Sequence, residues 1–575
     1  LRLEVNATQR LLESVTGHRT TLFRPPYAID GEPQTAAELR PLFLTSQLGY
    51  YTVNESIDPN DWQPGKQASR IASEVLAGAA HGGHIILLHD GGGNRSQTVK
   101  ALPAIIRGLR AQGFEIVSIA DLLGVPEDRV MPAVQAPDRL LGRVNQVGYT
   151  ANDLFQDSIY WLFIASVILG LFRLVGIASL AILQRRAQRP LEASSYHPSV
   201  AVLVPAYNEE RVILTTVETI LDSSYSNLEV IVVDDGSSDS TLDRLAKNFP
   251  EMARLQLLTK ANGGKAAALN YAIERTKADI IVTIDADTII DPRAVGLLVP
   301  HFSEAGVAAV AGNAKVGNRL NILTRWQALE YIMGQNLDRR AFHRLNCICV
   351  VPGAIGAWRR EAVIQAGGFR NDTLAEDTDL TLRLLEANWR ITYEDAAIAY
   401  TEAPDTLETF FKQRFRWVYG TLQAIWKRRH VLLRRRYRAL GLVAIPNMLV
   451  FQVFLPLLGP IMDILMLASV ILTAIQRAQH PESYSSDSVR KIFFYYVFFL
   501  LLEIITGITA FLLEKQEDWK LLLWIPVQRF FYRQLLYTTV IRSVLAAVRG
   551  SQVHWNKLER KATVRVVANR DVKLN

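Results

Sequence analysis

The sequence predicts an α/β domain built on a parallel sheet, in a chain that also crosses a membrane. Three observations lead there. Residues 199–300 alternate short apolar strands with helical stretches. Long apolar runs stand on either side, near 158–183 and between 440 and 548. At 575 residues, the chain is too long for one domain.

Residues 1–125 mix helical pattern with short apolar strands such as His84–Leu88 and Glu115–Ile119. Residues 126–157 read as a linker, with prolines at 126, 132 and 137. The run 158–183 is long enough to cross a bilayer and holds one charge, Arg173. Gln-Arg-Arg-Ala-Gln-Arg follows at 184–189, which places that end in the cytoplasm and the preceding segment outside. In the block 198–430, Ser199–Val204, Glu229–Val233 and Asp279–Ile284 are the expected strands. Strands alternating with helices imply βαβ units and a parallel sheet covered by helices.

A basic cluster at 427–430 and 434–436 precedes the second apolar region, 440–548. As one helix, Leu440–Ile475 would be about 54 Å long, too much for a single crossing. Pro456, Gly459 and Pro460 offer a turn, so two spans are expected, with Arg490–Leu513 and Lys520–Val548 adding two more. The basic tail, 549–575, then lies inside. Leu1 opens the chain in mid-pattern, so further sequence is expected upstream.

The net charge of +7 does not point to nucleic acid, because much of the basic excess flanks the apolar runs. Cys347 and Cys349 stand two apart in an apolar stretch, a spacing suited to core packing in a reducing compartment rather than to a disulfide.

Ligands of open parallel sheets bind at the carboxyl ends of the strands. Three polar motifs fall there: Pro205-Ala206-Tyr207-Asn208-Glu209, then Asp234-Asp235-Gly236-Ser237-Ser238-Asp239, then Asp285-Ala286-Asp287. Each alone also reads as a turn. Together they converge carboxylates on one crevice, which is costly unless a cation or substrate offsets the repulsion. A divalent ion bridging a diphosphate would do so, with Asp285 and Asp287 as oxygen ligands. Asn262-Gly263-Gly264-Lys265 opens the third helical stretch, either as a close-approach loop whose lysine meets phosphate or as a plain glycine turn. Ala375-Glu376-Asp377-Thr378-Asp379 and Gln413-Arg414-Phe415-Arg416-Trp417 follow.

In this ordered set, residues 198–430 resemble the family-2 glycosyltransferases with the GT-A fold, in particular the hyaluronan, chitin, poly-N-acetylglucosamine and cellulose synthases. By that resemblance, Tyr207, Glu209, Asp234 and Asp235 hold the uridine of a UDP-sugar and Lys265 approaches its diphosphate. Asp285 serves nucleotide and metal, and Asp287 the metal, Mg²⁺ or Mn²⁺. Asp377 would be the catalytic base, with Glu376 as runner-up. Gln413, Arg416 and Trp417 would bind the growing polysaccharide. Ala375 departs from the cellulose synthases, which carry Thr there.

Arg24-Pro25-Pro26-Tyr27, Asp58-Pro59-Asn60-Asp61-Trp62 and Leu87-Leu88-His89-Asp90 resemble the last three motifs of the polysaccharide deacetylases, whose fold is a distorted β/α barrel. Arg24 would tune the catalytic carboxylate, Asp61 and Trp62 shape the site, and His89 act as general acid. The family's Asp-Asp pair and His-x-x-x-His metal site are absent, and His81 and His84 have the wrong spacing to replace them. Residues 1–125 are therefore expected to be a partial deacetylase without a tight metal site. The combined expectation is a multi-pass protein of a bacterial plasma membrane. Its glycosyltransferase domain would be cytoplasmic and its deacetylase part extracytoplasmic. It would polymerise N-acetylglucosamine, since a deacetylase needs N-acetyl groups. Hyaluronan or cellulose-like synthesis, single-sugar transfer to a lipid, and polysaccharide binding on a relict catalytic fold remain the alternatives.

Overall fold

A computed structural model describes residues 2–25, 36–91, 93–187, 196–250, 252–479, 487–514, 517–550 and 560–564. They divide into two units, Leu1–Ala165 and Ser166–Asn575. Pro26, Tyr27, Gln188, Arg189 and most of the tail 549–575 lie outside the described residues.

In the first unit, the helices Ala68–Ala80 and Ser96–Ala111 bury facing stripes, Ile71, Val75 and Ala79 against Ala101, Ile105 and Leu109. Both stripes follow the four-residue spacing that lines one face of a helix. Strand pairing is slight. β1 (Leu22–Phe23) and β2 (Tyr51–Thr52) run parallel, and Ile86 makes one isolated bridge to Ile57. The expected strands at His84–Leu88 and Glu115–Ile119 do not form. At the second, Ser118 and Asp121 make a reciprocal capping box that turns Ile119 into the start of a helix. No barrel closes among the described residues.

Much of the expected linker is helical. Ala136–Ala187 is a single helix, with Pro137 in its first turn, where a missing N–H costs nothing. Nothing between Pro137 and the apolar run stops it.

The second unit is organised by an eight-stranded sheet. Its strands are β3 (Val200–Ala206), β4 (Leu228–Asp234), β5 (Leu255–Thr259), β6 (Ile280–Thr283), β7 (Ile289–Ile290), β8 (Val307–Val316), β9 (Gly356–Arg359) and β10 (Arg390–Thr401). The spatial order is β5-β4-β3-β6-β9-β8-β10-β7. The three strands read from sequence fall at β3, β4 and β6, and β3 to β6 pair in parallel. β9 and β7 are antiparallel to their neighbours, so the sheet is mixed. From β3 the chain steps outward to β4 and β5, then returns to place β6 on the other side of β3. That reversal opens a crevice at the carboxyl ends of β3 and β6.

Leu440–Gln479 stays helical throughout, so the turn expected at Pro456, Gly459 and Pro460 is absent. Two π-helical stretches, Leu440–Ala444 and Met448–Phe454, interrupt the ordinary ladder just before Pro456, which has no N–H to offer it. Gly459 serves contact instead: a Cβ there would come within 2.5 Å of the Tyr537 ring. By length and composition, Leu140–Ala187 and Leu440–Ile475 are the described helices able to cross a membrane. Of the other two expected spans, Arg490–Leu513 contributes the shorter apolar stretch Val497–Leu513, and Lys520–Val548 contains the helix Ile525–Val548 with three arginines.

Candidate functional site

One cavity of about 960 Å³ opens at the β3/β6 crevice. Tyr207, Glu209, Asp235, Lys265, Asp285, Asp287, Glu376, Asp377, Gln413, Arg416 and Trp417 all line it. Asp234 does not. As the last residue of β4 it is buried beneath the turn, where it accepts a hydrogen bond from the Ser237 N–H at 3.3 Å.

Asp235 builds the adjoining loop. Its carboxylate accepts N–H bonds from Gly263 at 3.0 Å and Gly264 at 2.7 Å, and pairs with Lys260 at 2.6 Å. Gly264 takes φ +86°, a left-handed conformation that suits glycine, and the next residue starts the helix Lys265–Ile273. Lys265 then stands between Asp285 Oδ1 at 2.6 Å and Glu376 Oε1 at 3.0 Å. Burial works against its charge, but Asp285, Glu376 and Asp377 outweigh it and push the ammonium pKa up. At Gly353, an added Cβ would lie 2.5 Å from Lys265 Nζ, so a side chain there would displace the ammonium from its place beside Asp285.

Asp377 sits in the first turn of the helix Glu376–Glu386. Burial, then the neighbouring Glu376 charge, raises its carboxyl to about 6 against the opposing pull of Lys265. Glu376 is engaged by Lys265. Asp379 points away into the protein, paired with Arg383 at 2.9 Å and Arg428 at 3.0 Å. The helix Leu407–Lys427 brings Gln413, Arg416 and Trp417 to one face by their three- and four-residue spacing. Gly420 lets that helix sit directly on the turn before Asp377, since a Cβ would meet the Ala375 nitrogen at 2.6 Å. Gln413 Oε1 is buried with no hydrogen-bond partner among the described residues.

Asp287 is buried, which raises its pKa against the lowering effect of Arg560, while Asp285 and Glu402 add to the rise. Arg560 Nη2 lies 2.9 Å from Asp287 Oδ2. Sequence reading missed this partner, because the tail showed only as basic. Glu402 latches the segment, accepting N–H bonds from Lys561 and Thr563 and the Thr563 hydroxyl at 2.5 Å, while Lys561 pairs with Asp405 at 2.8 Å. Arg173, noted only as the lone charge of its apolar run, pairs with Asp338 at 2.6 Å, and both line the cavity.

Away from the crevice, the cavity continues past Phe451, Pro456, Phe499, Arg533 and Tyr537 of the apolar helices. Glu503 binds both Arg529, at 2.9 Å, and Arg533.

In the first unit, Asp61 accepts from Thr98 at 2.7 Å and contacts His89 Nδ1 at 2.8 Å. These bonds lower the Asp61 pKa although burial opposes them. Arg24 pairs with Glu55 at 2.9 Å, and Trp62 is exposed. Asp58, Asp61 and His89 offer three possible ligand atoms within 4.8 Å of one another, and His81 and His84 stand outside that trio. Three such atoms are a possible metal-holding group among the described residues and bear on tightness neither way, so the expectation of no tight site in residues 1–125 stands untested.

Residues 197–420 match the family described as Glycosyltransferase like family 2. The poly-β-1,6-N-acetyl-D-glucosamine synthase of Staphylococcus aureus is 30% identical over 222 residues, covering 38% of this chain and 54% of the relative. The probable glycosyltransferase YdaM of Bacillus subtilis is 34% identical over 239 residues, covering 40% and 57%. The chain thus spans little more than half the length of these curated relatives. The solved mannosyltransferase PcManGT from Pyrobaculum calidifontis, in complex with GDP-Man and Mn²⁺, is 18% identical with a TM-score of 0.47, covering 67% of this chain and 99% of that one. The matched residues, 197–420, contain all eight strands of the mixed sheet and have homology to family 2 glycosyltransferases.

Proposed function

We propose that this chain is a membrane-bound, processive, inverting glycosyltransferase that polymerises N-acetylglucosamine from UDP-GlcNAc into a β-linked polysaccharide and exports it. The observation that carries this reading is the continuity of one cavity from Asp285, Asp287 and Asp377 to Phe451, Phe499 and Tyr537 of the apolar helices. A transferase of single sugars to soluble acceptors has no use for such an extension. The 30% identity to a poly-N-acetylglucosamine synthase supports the choice of sugar.

Asp285 and Asp287 suit Mg²⁺ or Mn²⁺. They are hard oxygen donors, and the Asp287 pKa is raised first by burial and then by Asp285 and Glu402, against the pull of Arg560, so a dication there would favour the charged form. Held by these two carboxylates, such an ion would supply positive charge to the leaving diphosphate without proton transfer. The remaining roles belong to side chains. Tyr207, Glu209 and Asp235 form the wall for the nucleoside, and Lys265 places a positive charge between the diphosphate site and the base. Asp377 takes the proton from the acceptor hydroxyl as that oxygen attacks the anomeric carbon and UDP leaves. One in-line displacement inverts the centre, so an α-linked donor gives a β-linked product. Because Glu376 is paired to Lys265, Asp377 is the carboxylate left to act as base. Gln413, Arg416 and Trp417 hold the acceptor end.

The first unit is read as part of a polysaccharide deacetylase, with His89 oriented by Asp61. Purified residues 1–125 should show no metal-dependent deacetylation, and activity from them would refute the expectation of an incomplete site. Incubating membranes containing the full chain with single UDP-sugars tests the main one. Polymer from UDP-GlcNAc with β linkages is expected, and its absence with every UDP-sugar would overturn the proposal.

A further inference from the structure

The wall behind Trp417 holds a second arrangement of charge that the transfer step itself does not use. Arg414 is 3% exposed in its helix, and its Nη1 donates to Glu330 Oε1 at 2.7 Å. The Tyr532 hydroxyl, fully buried on the helix Ile525–Val548, donates to the other oxygen of the same carboxylate. The guanidinium carbon of Arg414 lies 4.4 Å from the centre of the Trp417 ring and 5.3 Å from that of Phe410. Three segments distant in sequence therefore meet on one planar cation.

Filling this space with aliphatic side chains would avoid the cost of removing two charges from water, and such replacements are often neutral or stabilising. A planar guanidinium fixed by a carboxylate does what an aliphatic chain cannot: it sets the orientation of an aromatic ring stacked on it. We propose that Arg414 is a positioning residue for the acceptor. Held by Glu330 and Tyr532, it fixes the Trp417 indole as the platform for the polysaccharide end and ties that platform to the Ile525–Val548 helix. This rests on the reading of Trp417 as an acceptor-binding residue. Arg414 acts through the indole and touches no reacting atom.

The test uses the full chain in lipid nanodiscs, with UDP-GlcNAc as donor, a β-linked N-acetylglucosamine oligosaccharide as acceptor, and calorimetry for UDP binding. Arg414→Lys keeps the charge and loses the plane. Its acceptor KM should rise about tenfold, the equivalent of about 1.4 kcal/mol and within the range of a desolvated cation–π contact. Elongation kcat and UDP affinity should change far less. Tyr532→Phe keeps the ion pair and removes only the tie to the neighbouring helix, so its acceptor KM should rise in the same direction by a smaller factor. An unchanged acceptor KM in either variant while UDP still binds, or a fall in kcat at constant KM, overturns the proposal. If Arg414→Lys no longer binds UDP, Tyr532→Phe decides by the same criterion. A wild-type chain that binds UDP yet extends no acceptor overturns the functional reading, and this proposal with it.

Discussion

Two clusters of buried charge in the second unit use the same residue types to opposite ends. Beside β8 and β10, Lys315, Arg319 and Arg340 face Asp395, Glu514 and Glu517. Their pairs include Lys315 to Glu517 at 3.0 Å, Arg319 to Glu517 at 2.7 Å and Arg340 to Glu514 at 3.1 Å. Asn313 adds a bond to Glu514 at 3.0 Å. Each charge there has a fixed counter-charge and no part in the cavity. In the crevice, Asp285, Asp287, Glu376 and Asp377 outnumber Lys265, Arg416 and Arg560, and burial holds Asp287 and Asp377 above the ordinary carboxylate range. The first cluster is complete and secures the end of the helix Asp487–Leu513 to the sheet. The second holds raised carboxylates lining a cavity, the pattern that marks a candidate functional site.

The largest separation between the two comes from neutralising one member of each. Asp377→Asn should lower elongation by about a hundred- to ten-thousandfold, the usual worth of a general base, with UDP binding retained in calorimetry. Asp287→Asn should weaken metal-dependent UDP binding as well. Glu514→Gln should instead cost stability, by less than the about 3–5 kcal/mol of an uncompensated buried charge, because Arg340 keeps Asp395 and Lys315 keeps Glu517. Thermal unfolding in detergent reads that loss, and an undiminished midpoint would mean the network is dispensable.

The crevice should also betray its strain in a pH profile. As the proposed base, Asp377 would act only when deprotonated, and burial raises its pKa to about 6. Elongation should therefore climb with pH through an ionisation near that value. A limb at the ordinary aspartate pKa would mean that the cavity does not desolvate the group. Further along the cavity, Arg533→Leu leaves Arg529 to hold Glu503. Polymer export should fall more than UDP-sugar hydrolysis, whereas equal losses would count against a channel role for that wall. The smallest effect is expected at Arg560→Gln, which removes the cation shared with Asp287. Mn²⁺ titration without nucleotide should show tighter binding than in the wild type, and overlapping curves would show that the guanidinium does not compete.

The sequence determined what depends on short-range signals. β3, β4 and β6 are apolar β-branched runs, and the acidic motifs fall at their ends, so the crevice could be placed from order and spacing alone. Gln413, Arg416 and Trp417 came from the resemblance of their motif, and the helix Leu407–Lys427 sets them on one face. Where local signals competed, the reading went astray. Ser118 and Asp121 capped a helix inside an expected strand, the residues after Pro137 continued a helix through an expected linker, and a π-helical stretch carried the chain past Pro456 without a turn. Tertiary structure alone decided which charges meet: Arg560 on Asp287, Glu402 on the tail, Arg414 and Tyr532 on Glu330, and Asp234 beneath its turn rather than in the cavity. Such pairs join segments far apart in the chain and leave no periodic trace. The energy that selects them is desolvation followed by pairing, which arises only once folding has removed both partners from water.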